Sequence, residues 1–224
     1  MVTLILSRLT GRHFSGKLFG RQIQRKMFSS QDQYLPNLMS FKVQPYPGPI
    51  LSIKNSLFSK LIITPYYDQD FSKENFLLGA REAVKFVSTC LLHSDFDSLR
   101  ESEALTTDCF RDVYLNASKF SDFQRQHFQK VIDELDFDFI YQIGVMMDDV
   151  DPNSRRVEIT YSAHCNTLKV NNVLEDKTFE EMEWGPIFLS YRFYRDYTKG
   201  KVEDSWTINA LNHMTLRDHI NGNQ

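Results

Sequence analysis

Along the chain the spacing of apolar residues changes once, from a period of three to four to a period of two. Ile50, Ile53, Leu57 and Leu61 fall on one helical face, with Lys54 and Lys60 elsewhere on the wheel. Pro65 is expected to end that helix. Its stripe suits packing on a domain or lying in a membrane interface, and packing is the expectation because two lysines anchor weakly. A second helix is predicted after Ser72, a plausible N-cap, with Glu74 at the positive end of the helix dipole. Phe76, Ala80, Ala83, Val84, Val87 and Leu91 form its buried stripe. Helical spacing continues through Phe96–Leu99 and Leu105–Leu115. A further helix is expected from Asp122 to Leu135, capped by Ser121, with Phe128, Val131 and Leu135 inward.

Alternation then takes over. Phe137, Phe139, Tyr141, Ile143 and Val145 are expected on one face of a first strand. Val157 to Cys165 alternates most cleanly, apolar at odd positions and polar at even ones. The aspartate-rich stretch 148–154 between them reads as a turn. A third strand is expected over 184–198, with Ile187, Leu189, Tyr191 and Phe193 on one face. Lys199-Gly200-Lys201 turns into a fourth over Ser205–Met214, carrying Trp206, Ile208, Ala210 and Asn212. Helices first and hairpin-connected strands afterwards define an α+β class, with N-terminal helices packed on a curved antiparallel sheet. Such a sheet can wrap a helix and leave an open, cone-shaped pocket.

The first thirty residues change the picture. They hold Arg8, Arg12, Lys17, Arg21, Arg25 and Lys26, no acidic residue, and interleaved apolar and hydroxyl side chains. That is the pattern of a mitochondrial presequence, an amphipathic cation drawn by a negative-inside potential. The longest apolar run, Leu4 to Leu6, is too short for a secretory signal. Cleavage is expected close to Phe28 and Ser29. Residues 31–49, with Pro36, Pro45, Pro47 and Pro49, read as a linker, and residues 50–220 as a single α+β domain. Setting the presequence aside leaves 20 basic against 29 acidic residues, a formal charge of −9. This is the wrong sign for a phosphate-backbone binder, so no specific nucleic-acid partner is expected.

No nucleotide-binding, zinc-protease, hydrolase or calcium-loop motif occurs, and the three cysteines form no paired spacing. Asp148, Asp149 and Asp151 lack the glycine and terminal glutamate of a calcium loop, and Glu180, Glu181 and Glu183 read as a polar connection. Among the histidines, His164 on the polar face of its strand is the one candidate for a pocket general base, but a solvent-facing or hydrogen-bonded histidine is the expectation there. Catalytic, cofactor-binding and metal-ligating residues are therefore assigned to none. The large amphipathic groups Tyr66, Tyr67, Trp184, Tyr191, Tyr194 and Trp206 are the candidate partner-binding residues.

Two stretches carry a resemblance. Tyr66-Tyr67-Asp68-Gln69-Asp70-Phe71-Ser72, leading through Gly79-Ala80-Arg81-Glu82-Ala83, resembles the entry to the domain of the mitochondrial m-AAA protease-interacting protein 1 family. Asp204-Ser205-Trp206-Thr207-Ile208-Asn209-Ala210-Leu211-Asn212-His213 resembles its final strand, with Ser205 inserted between acid and tryptophan. The resemblance implies a domain like that of the translocase of the inner membrane subunit 44, of nuclear transport factor 2-like fold. It implies a noncatalytic matrix protein, peripherally associated with the inner membrane, that binds m-AAA protease subunits. Its clients would be imported proteins, such as the essential regulator subunit of the calcium uniporter. A factor of the mitochondrial ribosome or of protein import is the alternative on the same fold. A small-molecule enzyme using the cone pocket is a third.

Overall fold

Helices precede strands in the computed structural model, which describes residues 35–41, 48–147, 154–165, 186–198 and 205–215. The helices are α1 (Pro49–Phe58), α2 (Thr64–Tyr66), α3 (Lys73–His93), α4 (Phe96–Glu101), α5 (Thr107–Ala117) and α6 (Asp122–Asp133). A π turn over Ser59–Ile63 joins α1 to α2. Strands β1 (Leu135–Met147), β2 (Arg155–Cys165), β3 (Ile187–Asp196) and β4 (Thr207–Thr215) form one antiparallel sheet in the order β1-β2-β3-β4. The fold is α+β. The expected presequence, the acidic stretches at 148–153 and 180–183, Trp184 and the turn expected at 199–201 lie outside the described residues.

Local chemistry accounts for the helix ends. Ser72 Oγ accepts the Asn75 N–H and opens α3. α3 stops at Ser94, which takes a left-handed φ of 57° while the Asp95 N–H returns to the Cys90 carbonyl. Ser121 and Gln124 form a reciprocal capping box at the start of α6. α6 ends at Asp133, and Leu135, expected inside the helix, instead begins β1. Pro65 does not stop the first helix before residue 64. The π turn, in which the Thr64 N–H reaches the Ser59 carbonyl, carries the helix through the proline to Tyr66.

The α3 stripe Phe76, Ala80, Val84, Val87 and Leu91 is buried in one cluster with Ile159, Tyr161, Leu189 and Tyr191 of the sheet. Each of the larger side chains among them contributes on the order of 2 kcal/mol by leaving water. Arg81 ties the other side of α3 to β1, giving Asp138 two hydrogen bonds of 3.2 and 2.8 Å, and Tyr161 adds its hydroxyl at 3.0 Å.

β2 runs without a register slip against β3, so its faces alternate as predicted, although from Ile159 to Cys165 both faces are buried rather than one; the two outer strands break the alternation. In β1 the register slips between Ile140 and Gln142, leaving Tyr141 as the extra residue. Ile140 therefore joins Ile143 in the core, while Phe137 is 53% exposed on the opposite side. In β4 the register slips between Ile208 and Ala210, with Asn209 extra. Beyond that bulge Leu211 and His213 continue the core face begun by Ile208, and Ala210 and Asn212 turn to the other. One inserted residue inverts everything after it.

The sharpest departure is α1. Its stripe of Ile50, Ile53, Leu57 and Leu61 does not pack on the domain; these residues are 84, 62, 52 and 60% exposed. The side that faces inward instead carries Leu51, Asn55 and Phe58, with Phe58 packed against the core. Asn55, buried, donates to the carbonyls of Ile140 (3.3 Å) and Tyr141 (2.7 Å) and accepts the Ile143 N–H (3.0 Å). These backbone groups belong to the bulged stretch of the edge strand, so one amide covers an edge that would otherwise be open. The expected linker at 31–49 is likewise not free where it is described. Leu35 and Leu38 are buried, the Leu38 N–H donates to Asn212 Oδ1 at 2.9 Å, and Asn116 donates to the Leu38 carbonyl.

Replacing Asn55 with alanine strips three hydrogen bonds from buried backbone and side-chain groups. The expected cost is about 2–3 kcal/mol. It will appear as accelerated amide hydrogen exchange across residues 49–66 and the edge of β1, with α3 protected as in the parent. Unchanged exchange over α1 would refute the clamp.

Candidate functional site

The loop between α2 and α3 is drawn onto the far end of the sheet by Asp68. Its Oδ2 accepts from Arg195 Nη1 at 2.9 Å and from the Tyr197 hydroxyl at 3.1 Å. Arg195 in turn lies over the Tyr197 ring at 5.1 Å, and Tyr67 meets that ring edge-on at 5.6 Å. Burial raises the Tyr197 phenol above its ordinary range, so it stays a donor. Next to this tie Phe71, Phe76, Phe193 and Trp206 form an aromatic wall. Phe76 touches Trp206 edge-on at 5.3 Å and Phe193 at 5.4 Å.

Between that wall and the first half of α3 opens a cleft of about 490 Å³. Gly79 and Ala83, small residues at i and i+4, leave its helical side low, and beyond its chain neighbours and its own helix backbone no atom lies within 4 Å of where a Gly79 Cβ would stand. Asp70 lies at its lip, exposed, and among the described residues no cation pairs with its carboxylate. The volume lies within the roughly 300–1,000 Å³ of typical ligand sites. A second cavity, about 720 Å³, lies between the polar side of α1 and β1, where Ser52, Ser56 and Ser59 face Phe139 and Ile143.

Both stretches that carry the family resemblance meet at the first of these cavities. From residues 66–83 come Asp68, Asp70, Phe71, Phe76, Gly79 and Ala83; from 204–213 comes Trp206. Much of the remaining pattern is structural, since Ser72 caps α3, Ala80 is core and Arg81 holds Asp138.

Of the candidate partner-binding residues, Tyr66 is 72% exposed. Tyr67 and Trp206 are half-buried against Tyr197 and Phe76. Tyr194 is half-buried on the opposite face of β3. Tyr191 is not a surface residue: it is fully buried, because its strand position faces α3. Trp184 lies outside the described residues. The sequence reading missed Phe71, Gly79 and Arg195 as site residues. Gly79 carried the available signal, since a lone glycine inside a strong helical pattern costs stability and calls for a reason.

Comparisons with known proteins agree with the resemblance. No family model matches the chain. The chain is similar to m-AAA protease-interacting protein 1. It is 25% identical to the mitochondrial protein of that name from Bos taurus over 181 residues, which is 76% of this chain and 60% of the relative. The Rattus norvegicus and Mus musculus proteins match at 25% over 179 residues with the same coverage. The chain thus spans about 60% of the length of the curated relatives it matches. Their name states a mitochondrial protein that interacts with a protease.

Among the described residues a second linked set of buried titratable groups lies apart from the lining of both cavities. The candidate base His164 is buried, not solvent-facing, with the rings of Phe139 and Phe188 edge-on at 5.8 and 4.9 Å. His127 and His213 are buried, and Tyr191 joins them in a chain with a single direction. His127 Nδ1 lies against the Gln124 carbonyl, which only accepts, so Nδ1 carries the proton. Nε2 then accepts from His213 Nδ1 at 3.1 Å, and His213 Nε2 accepts the Tyr191 hydroxyl at 2.8 Å. Burial depresses both histidines, His127 to about 4, and raises the Tyr191 phenol, so all three are neutral. Burial likewise pushes the Cys109 thiol up to about 12, which makes it packing rather than a nucleophile. Among the described residues no group of three or more His, Cys, Asp or Glu is placed to hold a metal ion.

An unfolded histidine takes up a proton near pH 6.5, whereas His127 in the folded protein resists until about pH 4. The unfolded state therefore binds more protons in that interval. Stability should be complete above about pH 6.5 and fall as the pH drops, by up to about 1.4 kcal/mol per pH unit for each histidine. Urea midpoints measured from pH 7.5 to 5 check this, and His127→Gln should flatten the decline. A parent midpoint independent of pH over that range would rule out the neutral chain.

Proposed function

We propose that this protein is a noncatalytic adaptor of the mitochondrial matrix that binds the m-AAA protease and assists the sorting and maturation of imported inner-membrane proteins. Proteins such as the essential regulator subunit of the calcium uniporter are the client class in view. The observation that carries this reading is the convergence of both family-like stretches on one open aromatic cleft. Residues 1–30 serve as the address, cleaved near Phe28 and Ser29. The working domain follows in residues 50–220, with part of the linker docked on it, in a nuclear transport factor 2-like arrangement. A surface cleft without a paired acid and base suits holding a segment of another protein better than transforming a small molecule.

A specific observation supports peripheral contact with the inner membrane. No helix among the described residues is long and apolar enough to cross a bilayer. The outward stripe of α1 could instead lie in its surface, with Lys54 and Lys60 on the same helix and no acid between residues 49 and 67. The same contact would serve the second reading, a membrane-associated ribosome or import factor. That reading predicts co-sedimentation with the large ribosomal subunit that is lost at high salt.

Affinity purification from matrix and inner-membrane fractions should recover m-AAA subunits. Recovery of none, with purified components also failing to bind, would sink the adaptor reading. For the stripe, Ile53→Glu with Leu57→Glu should abolish sedimentation with vesicles containing anionic lipid. Because both side chains are exposed, it should move stability by less than about 1 kcal/mol. Vesicle binding equal to that of the parent would remove α1 from the membrane contact.

A further inference from the structure

We infer that the cleft between α3 and Trp206 takes a linear, acid-free segment of a second protein, in which a large apolar side chain sits beside an arginine or lysine. The inference rests on the adaptor reading and names the chemistry of the client. Geometry supplies the apolar half. The open space above Gly79 and Ala83 faces the rings of Phe71 and Trp206, so an inserted side chain would lie between a helix floor without bulk and an aromatic wall. Phe71 and Trp206, with centroids 6.3 Å apart, are only partly buried and keep surface available to a ligand.

Charge supplies the other half. Arg195 lines the cleft, but its guanidinium is already engaged by Asp68 at 2.9 Å, and both side chains are largely buried, 17 and 15% exposed. That pair cancels. What remains at the lip is the carboxylate of Asp70, with Glu82 exposed three residues along the helix from Gly79. The site therefore presents negative charge beside an apolar slot, on a body whose residues 31–224 carry a formal charge of −9. An acidic segment would meet repulsion from both the lip and the whole molecule, whereas a basic one would be steered in. Segments of this composition lead imported mitochondrial proteins, which are amphipathic, arginine-rich and poor in acids. Residues 1–30 of this chain are an example.

The test uses the full chain and two fluorescein-labelled fifteen-residue peptides, one built from Arg, Leu, Ser and Ala and its twin with Glu for every Arg, read by anisotropy. The basic peptide should bind and the acidic twin should not. Gly79→Leu fills the slot with a better helix former, so its thermal midpoint should not fall, while the basic peptide binds at least about tenfold more weakly. Asp70→Asn, on an exposed loop, should weaken binding about threefold, the scale of one surface charge pair. Equal binding of the twins, no binding of the basic peptide, or parent-like binding by both variants would overturn the inference. The unsubstituted chain is also passed over immobilised m-AAA protease. Protease binding retained while peptide binding fails would reject the cleft's client and leave the adaptor reading standing. Peptide binding retained while the protease is not bound would do the reverse.

Discussion

Three hydrogen bonds from the Asn55 side chain to the bulged backbone of β1 decide which side of the first helix meets water. An amide in that position must be buried, because β1 is the edge of the sheet and the groups it satisfies lie along that edge. Burying Asn55 turns its own face inward and leaves Ile50, Ile53, Leu57 and Leu61 outside. Leu51 and Phe58 go inward with it, and Ile63 beyond them is buried in the core. The cost of leaving backbone groups of a bulge without partners, a few kcal/mol each, competes with about 2 kcal/mol for each apolar side chain left partly exposed. The amide thus fixes which of two apolar sides of the helix is covered, and the outward stripe is available to something else.

How much of the molecule was legible in the sequence follows from the same competition. Features set by neighbours along the chain were readable: the caps at Ser72 and Ser121, the α3 stripe and the alternation of β2. Features set by a partner far away were not. Nothing around Tyr141 or Asn209 marks either as an extra residue, yet each reverses the faces that follow. Asn209 is used: its amide joins Arg192 and Glu158, at 2.8 and 3.0 Å, on the face away from α3. His213, placed by alternation with the polar positions, reaches the core only because that bulge precedes it. The site was half legible. Trp206 and Tyr67 could be picked by residue type, but the cleft needs Gly79 and Ala83 on α3 opposite Phe193 on β3, over one hundred residues away.

The sealed histidine chain and the open cleft are complementary solutions to polarity. Inside, where a charge would cost several kcal/mol, every donor between Tyr191 and Gln124 has one acceptor and the chain stays neutral. At the cleft Asp68 performs a similar service for Arg195, which would otherwise be a largely buried cation. That pairing changes what the site can recognise. With Arg195 consumed internally, the arginine adds rigidity rather than an anion-binding group, and the unpaired Asp70 sets the sign.

The acidic excess after residue 30 and the basic first thirty residues then belong to one physical scheme. A protein with a formal charge of −9 after residue 30 repels acidic surfaces and attracts segments such as its own first thirty residues. α1 is the exception on that body: from residue 49 to 67 it carries two lysines and no acid, and its apolar stripe points outward. Two surfaces of different chemistry therefore sit on either side of the α2–α3 loop. The outward helix suits a lipid surface or a flat apolar partner, and the acidic-lipped cleft suits a basic segment. Since Asp68 anchors that loop to β3 and Asn55 anchors α1 to the edge strand β1, each surface is tied to the sheet by a polar side chain of its own.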